Sequence, residues 1–156
     1  NDGKGKFTDV ASQLGAGFDQ PKVGRGLACA DFDRDGDVDL LLTTNNGPAY
    51  LYRNDQSSGN KSLRVRLTGT KSNRDAIGAN VRIYYGGQTQ TRTVKSGSSY
   101  LSQSELPLTF GLGKADKVER MVVEWPSGRI EDFKNLSAGK TYDCLEAKGL
   151  TVNSHF

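Results

Sequence analysis

Histidine is almost missing from this chain. Of 156 residues only His155 is one, and it stands next to the C-terminus. A Ser–His–Asp or Cys–His arrangement would hang on a segment that is seldom tied down, so imidazole-based catalysis is not expected. No apolar run approaches the roughly 18–20 residues that span a bilayer, so insertion in a membrane is not expected. The 21 Lys and Arg are scattered, with no basic block or recognition-helix pattern, and the formal net charge is only +3. Mild surface charge explains this better than nucleic-acid binding. Cysteine is scarce too: Cys29 and Cys144 either form one disulfide joining the two ends or remain two buried thiols. The chain opens on NDGKGKF without an initiator Met or a leader, which reads as the product of a longer precursor.

What is present favours strands. Nineteen glycines and runs of β-branched residues suit short strands joined by tight turns. FTDVASQLGAG (7–17) is expected to form a short helix, capped by Thr8 or Asp9 and ended by Gly15 or Gly17. GRGLACADFD is a strand running into an acidic loop, and DVDLLLTT leaves that loop as a strand buried on both faces. NNGP turns the chain and AYLYRN returns as a third strand. An Asn-Asp pair occurs both at 1–2 and at 54–55, a fragment of a blade-like repeat. Beyond residue 60 the character changes to evenly spaced strand-like pieces: SLRVRLTG, GANVRIYYGG, QTQTRTVKSG, PLTFGLG, VERMVVEWPSG, RIEDFKNL and KTYDCLEAKG. The expected fold is all-β, a blade-like unit over residues 1–60 and a small sandwich or barrel over 61–148. The tail 149–156 is either loose or added to a neighbouring sheet.

The richest local pattern is DFDRDGDVDL (31–40), with five aspartates on alternate positions. Counted from Asp31, side-chain oxygens fall at positions one, three, five and nine: Asp31, Asp33, Asp35 and Asp39. Asp37 at position seven offers its backbone carbonyl, and Gly36 permits the sharp turn. Hard oxygen ligands at this spacing suit Ca2+, which takes about 6–8 oxygens in flexible geometry, whereas Mg2+ demands a stricter octahedron and keeps its waters. Soft ligands are absent from the loop, which argues against zinc. An EF-hand needs a bidentate Glu at position twelve, where this chain has Leu42. Without a counter-ion the five carboxylates would raise one another's pKa and destabilise the fold.

On these residues, GLACADFDRDGDVDLLLTTNNGPAYLYRND resembles the FG-GAP/VCBS repeats of integrin-like β-propellers, whose blades carry a D-x-D-x-D-G-x-x-D calcium loop. SNRDAIGANVRI, GGQTQTRTVKSGSSYLSQSELPLTFGLGKAD and VVEWPSGRIEDFKNLSAGKTYDCLE, within 61–148, resemble the ASPIC/UnbV domain that follows such repeats in secreted bacterial and cartilage acidic protein-like proteins. The resemblance implies an extracellular setting, Ca2+ as ligand and no catalytic activity. It also implies a departure, because one blade cannot close a propeller. Its open edges need cover from other chain segments, from the second domain or from another subunit.

Other features weigh less. Asp75, Glu105, Glu124, Glu131 and Asp132 supply carboxylates for glycoside hydrolysis in principle, but strand ends and turns favour solvated or ion-paired roles. SGSSYLSQSELP, with Tyr100, fits a structural loop whose serines satisfy backbone groups, or a surface for sugar hydroxyls. GLGK (111–114) lacks the spacing of a phosphate loop. Trp125 with Pro126 reads as an anchor at the edge of the core. Asn60 and Asn135 head glycosylation triplets. The leading expectation is a secreted, non-catalytic, calcium-stabilised interaction or adhesion module with a protein or glycan partner. The alternatives are a homo-oligomeric subunit of a filament or surface assembly built by strand-edge pairing, and a carbohydrate-binding module using Tyr100.

Overall fold

The computed structural model describes residues 5–55 and 59–153. Among these residues eleven strands form three sheets. The first holds β1 (Gly24–Ala30), β2 (Asp39–Thr44) and β3 (Tyr50–Tyr52), antiparallel and in that order. The other eight strands are β4 (Lys61–Thr68), β5 (Asn80–Tyr85), β6 (Gln88–Thr93), β7 (Leu108–Gly113), β8 (Lys117–Glu124), β9 (Ile130–Ser137), β10 (Lys140–Leu145) and β11 (Gly149–Asn153). They form two four-stranded sheets, β11-β10-β4-β7 and β6-β5-β8-β9. Every pairing is antiparallel except β4 with β10.

These eight strands make a sandwich because their residues alternate. Leu63, Val65 and Leu67 of β4 point inward, as do Val81, Ile83 and Tyr85 of β5. They meet Phe110, Met121, Val123, Leu136 and Cys144 in one shared core. Burying each such aliphatic side chain contributes about 1.5–3 kcal/mol. The β5–β6 hairpin turns at Gly86 and Gly87, whose φ values of 52° and 75° are what a two-residue hairpin loop demands. Trp125 is buried and closes the turn after β8, donating its N–H to the Arg129 carbonyl at 2.8 Å.

The opposite face of the β4 sheet is polar. Register places Thr109, Arg64, Thr141 and Asn153 in one cross-strand row, and Arg66 beside Asp143 in the next. The acidic loop between β1 and β2 rests on this polar face.

Two expectations change, and two open alternatives are decided. The helix over 7–17 does not form: the chain makes a 3-10 turn at Ala11–Gln13 and a four-residue helix at Ala16–Asp19. Asp9 accepts the Ala11 N–H at 2.9 Å in a local turn, Gly15 sits at φ 99°, and Phe7, Val10 and Leu14 find no core to pack on. A helix that short gains little without tertiary packing. The second strand is not buried on both faces, since Leu41 pairs with Leu51 across an exposed face. The tail does not run loose: 149–153 pairs with β10 as a sheet edge, while 154–156, with His155, lie outside the described residues. Cys29 and Cys144 are separate free thiols, one half-buried in β1 and one in the core.

Candidate metal centre

Strand pairing brings the two ends of the acidic loop together. Ala30 pairs with Asp39, so Asp31 leaves β1 beside the residue that opens β2. Asp31 and Asp39 are buried, at 5% and 2% exposure. Asp39 organises the loop: one oxygen accepts the Phe32 N–H at 3.0 Å and the other the Asn54 N–H at 2.8 Å. Asp31 accepts the Gly36 N–H at 3.2 Å and an Arg64 N–H at 3.1 Å, both on Oδ2. Asp35 accepts the Asp37 N–H at 2.8 Å. Gly36 has φ 96° and Arg34 φ 64°, so the turn needs left-handed backbone at both positions.

Carboxylate oxygens of Asp31, Asp33 and Asp39 converge within 4.8 Å of one another. Those of Asp33, Asp35 and Asp55 form a second, exposed group of the same size. The side chain of Asp37 belongs to neither group. Asp55 had not been anticipated as part of the site. Its signal was the repeated Asn-Asp pair, which places it just past β3 and beside the loop. Arg53 holds it at 2.7 Å and reaches Asp33 at 3.8 Å.

A hard cation fits this donor set on one specific ground. Asp31 Oδ1 is buried and has no hydrogen-bond partner, a state that is costly for a carboxylate oxygen. Electrostatics agree. Burial pushes the Asp31 carboxyl above its usual range; Arg64 and the Gly36 and Arg34 N–H groups pull it down, and Asp35 adds to the rise. Burial, then Asp35, Asp31, Asp39 and Asp33, raises the Asp37 carboxyl. Positive charge at the convergence point would relieve both.

The sandwich contributes to the same place. Arg64 of β4 lies between Asp31 and Glu105, with all three side chains largely buried. Ser62 donates its hydroxyl to the Gly36 carbonyl at 3.1 Å. The serine-rich stretch seals the free edge of β1. Leu27 and Cys29 donate their N–H groups to the Ser99 and Ser104 hydroxyls at 3.1 Å each, and Glu105 donates its own to the Cys29 carbonyl at 3.0 Å. These serines satisfy backbone, the structural role that the composition favoured. Tyr100 also lies against β1, its carbonyl close to Gly26 and its ring centre 5.0 Å from the Arg25 guanidinium.

The remaining candidates stay apart. Asp75 pairs with Arg74 at 3.3 Å and Asp132 with Arg120 at 2.7 Å. Glu131 accepts the Trp125 indole N–H at 2.6 Å. Residues 111–114 end β7 and open no phosphate cradle. Burial, followed by Glu131, pushes the Cys144 thiol up to about 12.

One buried carboxylate was not foreseen. Glu146 is 1% exposed and accepts the N–H groups of Thr70, Lys71 and Ser72 at 2.7–2.8 Å. Its other oxygen takes the Ser72 and Ser127 hydroxyls at 2.9 and 2.5 Å. Burial alone would raise its pKa. The Ser127 hydroxyl and the Ser72, Thr70 and Lys71 amides outweigh that and hold it well below the usual carboxylate range. It is a fully satisfied structural staple.

Comparison with known proteins places this architecture. Residues 69–151 match the family described as ASPIC and UnbV. The chain is 34% identical over 127 residues to "Cartilage acidic protein 1" of Homo sapiens, covering 79% of this chain and 19% of that protein. It is 37% identical over 111 residues to the Xenopus tropicalis protein of the same name, covering 69% of this chain and 17% of that one. The matched stretch thus spans less than a fifth of those relatives' length. On the match over 69–151, the chain belongs to the ASPIC and UnbV family.

Proposed function

We propose that this chain is an extracellular, non-catalytic interaction module whose FG-GAP/VCBS-like first unit is fixed by calcium against the ASPIC/UnbV sandwich. The observation that carries the reading is the orphaned, buried Asp31 Oδ1 at the convergence of Asp31, Asp33 and Asp39. Asp31, Asp33, Asp35 and Asp39 would hold the ion with carboxylate oxygen and Asp37 with its carbonyl; Asp55 is placed to support Asp33 and Asp35. Calcium there supplies charge compensation and rigidity. The Cys144 thiol, buried in the core and pushed up to about 12, is no activated nucleophile, which supports a binding role over catalysis. A protein or glycan partner is the expected ligand of the module as a whole.

The test is thermal unfolding in EDTA and in excess CaCl2, with calorimetric titration of Ca2+. Free calcium at about 100 times Kd stabilises by about 2.7 kcal/mol. For a chain of this size that raises Tm by roughly 5–10 °C. Asp31→Asn should abolish the rise. Identical melting with EDTA and calcium, together with no heat of binding, sinks the reading.

A second reading rests on a different observation. Among the described residues, nine of the fourteen exposed large hydrophobics lie in the first unit, including Leu41 and Leu51 opposite each other on one sheet face. Assembly of copies through this face and the open β3 edge would cover them. A monodisperse monomer at high concentration in light scattering rules that assembly out.

A further inference from the structure

Between the acidic loop and the polar face of the β4 sheet lies a cavity of about 210 Å³. Three arginines line it, Arg34 from the loop and Arg64 and Arg66 from β4, together with Asp31, Pro107, Thr141 and Asn153. The Thr141 hydroxyl is buried, on a residue 8% exposed, and has no hydrogen-bond partner. Two buried side-chain atoms are orphaned among the described residues, Asp31 Oδ1 and Thr141 Oγ1, and both belong to wall residues of this one cavity.

The cations are unequally committed. Arg66 spends Nε and Nη2 on Asp143, at 2.7 and 2.8 Å, which leaves its Nη1. Arg64 serves Asp31 and Glu105. The Arg34 guanidinium makes no hydrogen bond or ion pair among the described residues, although its backbone is held at φ 64°. A positively charged fork and a spare hydroxyl around a small polar space are what an oxyanion requires. The volume is below the roughly 300–1,000 Å³ of sites for drug-sized ligands, so it suits a charged group and not a whole ring system. Two larger cavities, of about 620 and 410 Å³, share Pro107 with it; the first brings Arg92 and Lys95 beside Glu105, the second Arg74 already paired with Asp75. The bulk charge agrees: outside residues 31–40 the chain has 20 Lys and Arg against 13 Asp and Glu.

We propose that the cavity binds an oxyanion, a sulfate or carboxylate group, held by Arg34, Arg66 and the Thr141 hydroxyl. Asp31 in the same wall opposes an anion. A cation on the aspartate loop would offset that charge, so the anion would bind more tightly when calcium is present. This coupling rests on the calcium reading above; the cavity and its donors do not. By linkage the anion would tighten calcium binding by the same factor.

The experiment titrates sodium sulfate, and separately sodium acetate, into the full chain by calorimetry at constant ionic strength, in 1 mM CaCl2 and in EDTA. Saturable one-to-one binding of at least one of them is expected. Arg34→Ala and Thr141→Val should each weaken it about tenfold while leaving Tm in chloride unchanged. The Val variant removes an unsatisfied hydroxyl and should fold at least as well. Sulfate also stabilises proteins by exclusion from their surface, without saturation and equally in all variants. Such an equal response overturns the proposal, as does unchanged binding by Thr141→Val, which would leave a bound water as the hydroxyl's partner. A heparin-derived hexasaccharide distinguishes the source. Tighter binding than inorganic sulfate, still lost in both variants, identifies a polymer-borne group; no gain identifies the free ion. A separate calcium titration on the same protein keeps the two ideas apart. Calcium binding without anion binding refutes the cavity alone, anion binding without calcium binding refutes the metal reading alone, and equal anion affinity with and without bound calcium refutes the coupling.

Discussion

Arg64→Met takes the guanidinium from between Asp31 and Glu105 and leaves an unbranched chain of similar length. The side chains of Arg64, Asp31 and Glu105 are 13%, 1% and 17% exposed, so little water reaches the gap. Removing one partner of a buried ion pair costs about 3–5 kcal/mol, because the charge left behind is stranded. In a chain of this length each kcal/mol moves Tm by about 2–4 °C, so the variant should melt roughly 6–20 °C lower in EDTA. With calcium the loss should shrink under the proposed reading, in which the metal would take up the Asp31 charge and leave only Glu105 unmatched. Arg64→Met combined with Glu105→Gln should recover part of the remainder. Differential scanning calorimetry of the wild type and both variants, with EDTA and with calcium, reads all of this. Melting of Arg64→Met within about 2 °C of wild type in EDTA would show that the bridge holds nothing. An equal loss in both buffers would show that calcium and Arg64 do not share Asp31.

Glu146 has a depressed pKa in the fold, so its stabilisation is complete above the ordinary value of 4.5 and is lost as pH falls toward the folded value. Urea midpoints between pH 6 and 2 should therefore fall more steeply for wild type than for Glu146→Gln, and parallel curves would refute the assignment. Cys144, with its thiol pushed up to about 12 in the core, should resist a thiol reagent at pH 8 until the protein is unfolded. Label on Cys144 in the native state, read by peptide mass, would contradict that. Gly26→Ala would set a Cβ 2.3 Å from Ser102 Oγ, 2.7 Å from the Tyr100 carbonyl and 2.8 Å from Thr43 Oγ1. It should push the serine loop off β1, lower Tm and speed hydrogen exchange at Leu27 and Cys29.

The sandwich was legible in the sequence because its signals are local. Alternation in SLRVRLTG and GANVRIYYGG names both the strand and its inward face, and Gly86-Gly87 names the turn between β5 and β6. The aspartate loop was legible for the same reason, its period of two and its glycine being fixed by the chain itself. What stayed hidden depends on pairing across long separations. Arg64 meets Asp31 at a separation of 33 residues and Glu105 at 41, and Glu146 meets the 70–72 amides at 74 to 76. Neither residue carries a neighbouring pattern that announces its role. The two misread elements fail for one shared reason. The apolar spacing in 7–17 and the Leu40–Leu42 run both imply a core around them, and the first unit has none to offer.

That shortage explains where the stabilising interactions sit. Every residue of the hydrophobic core lies at or beyond Leu63. The three-stranded sheet has no such core, and at its junction with the sandwich it is held by polar contacts: Arg64 on Asp31, Ser62 on the Gly36 carbonyl, and Ser99 and Ser104 on β1 amides. A sheet so joined cannot rely on hydrophobic burial, whose strength barely depends on ions. It relies on polar contacts, one of them the Arg64–Asp31 ion pair, and the densest run of like charge, the aspartate loop, rests on the joint. Loss of a cation there should loosen residues 24–54 while the sandwich keeps its fold. Hydrogen exchange in EDTA would then show fast amides confined to β1–β3, and uniform protection across all three sheets would contradict a joint governed by charge.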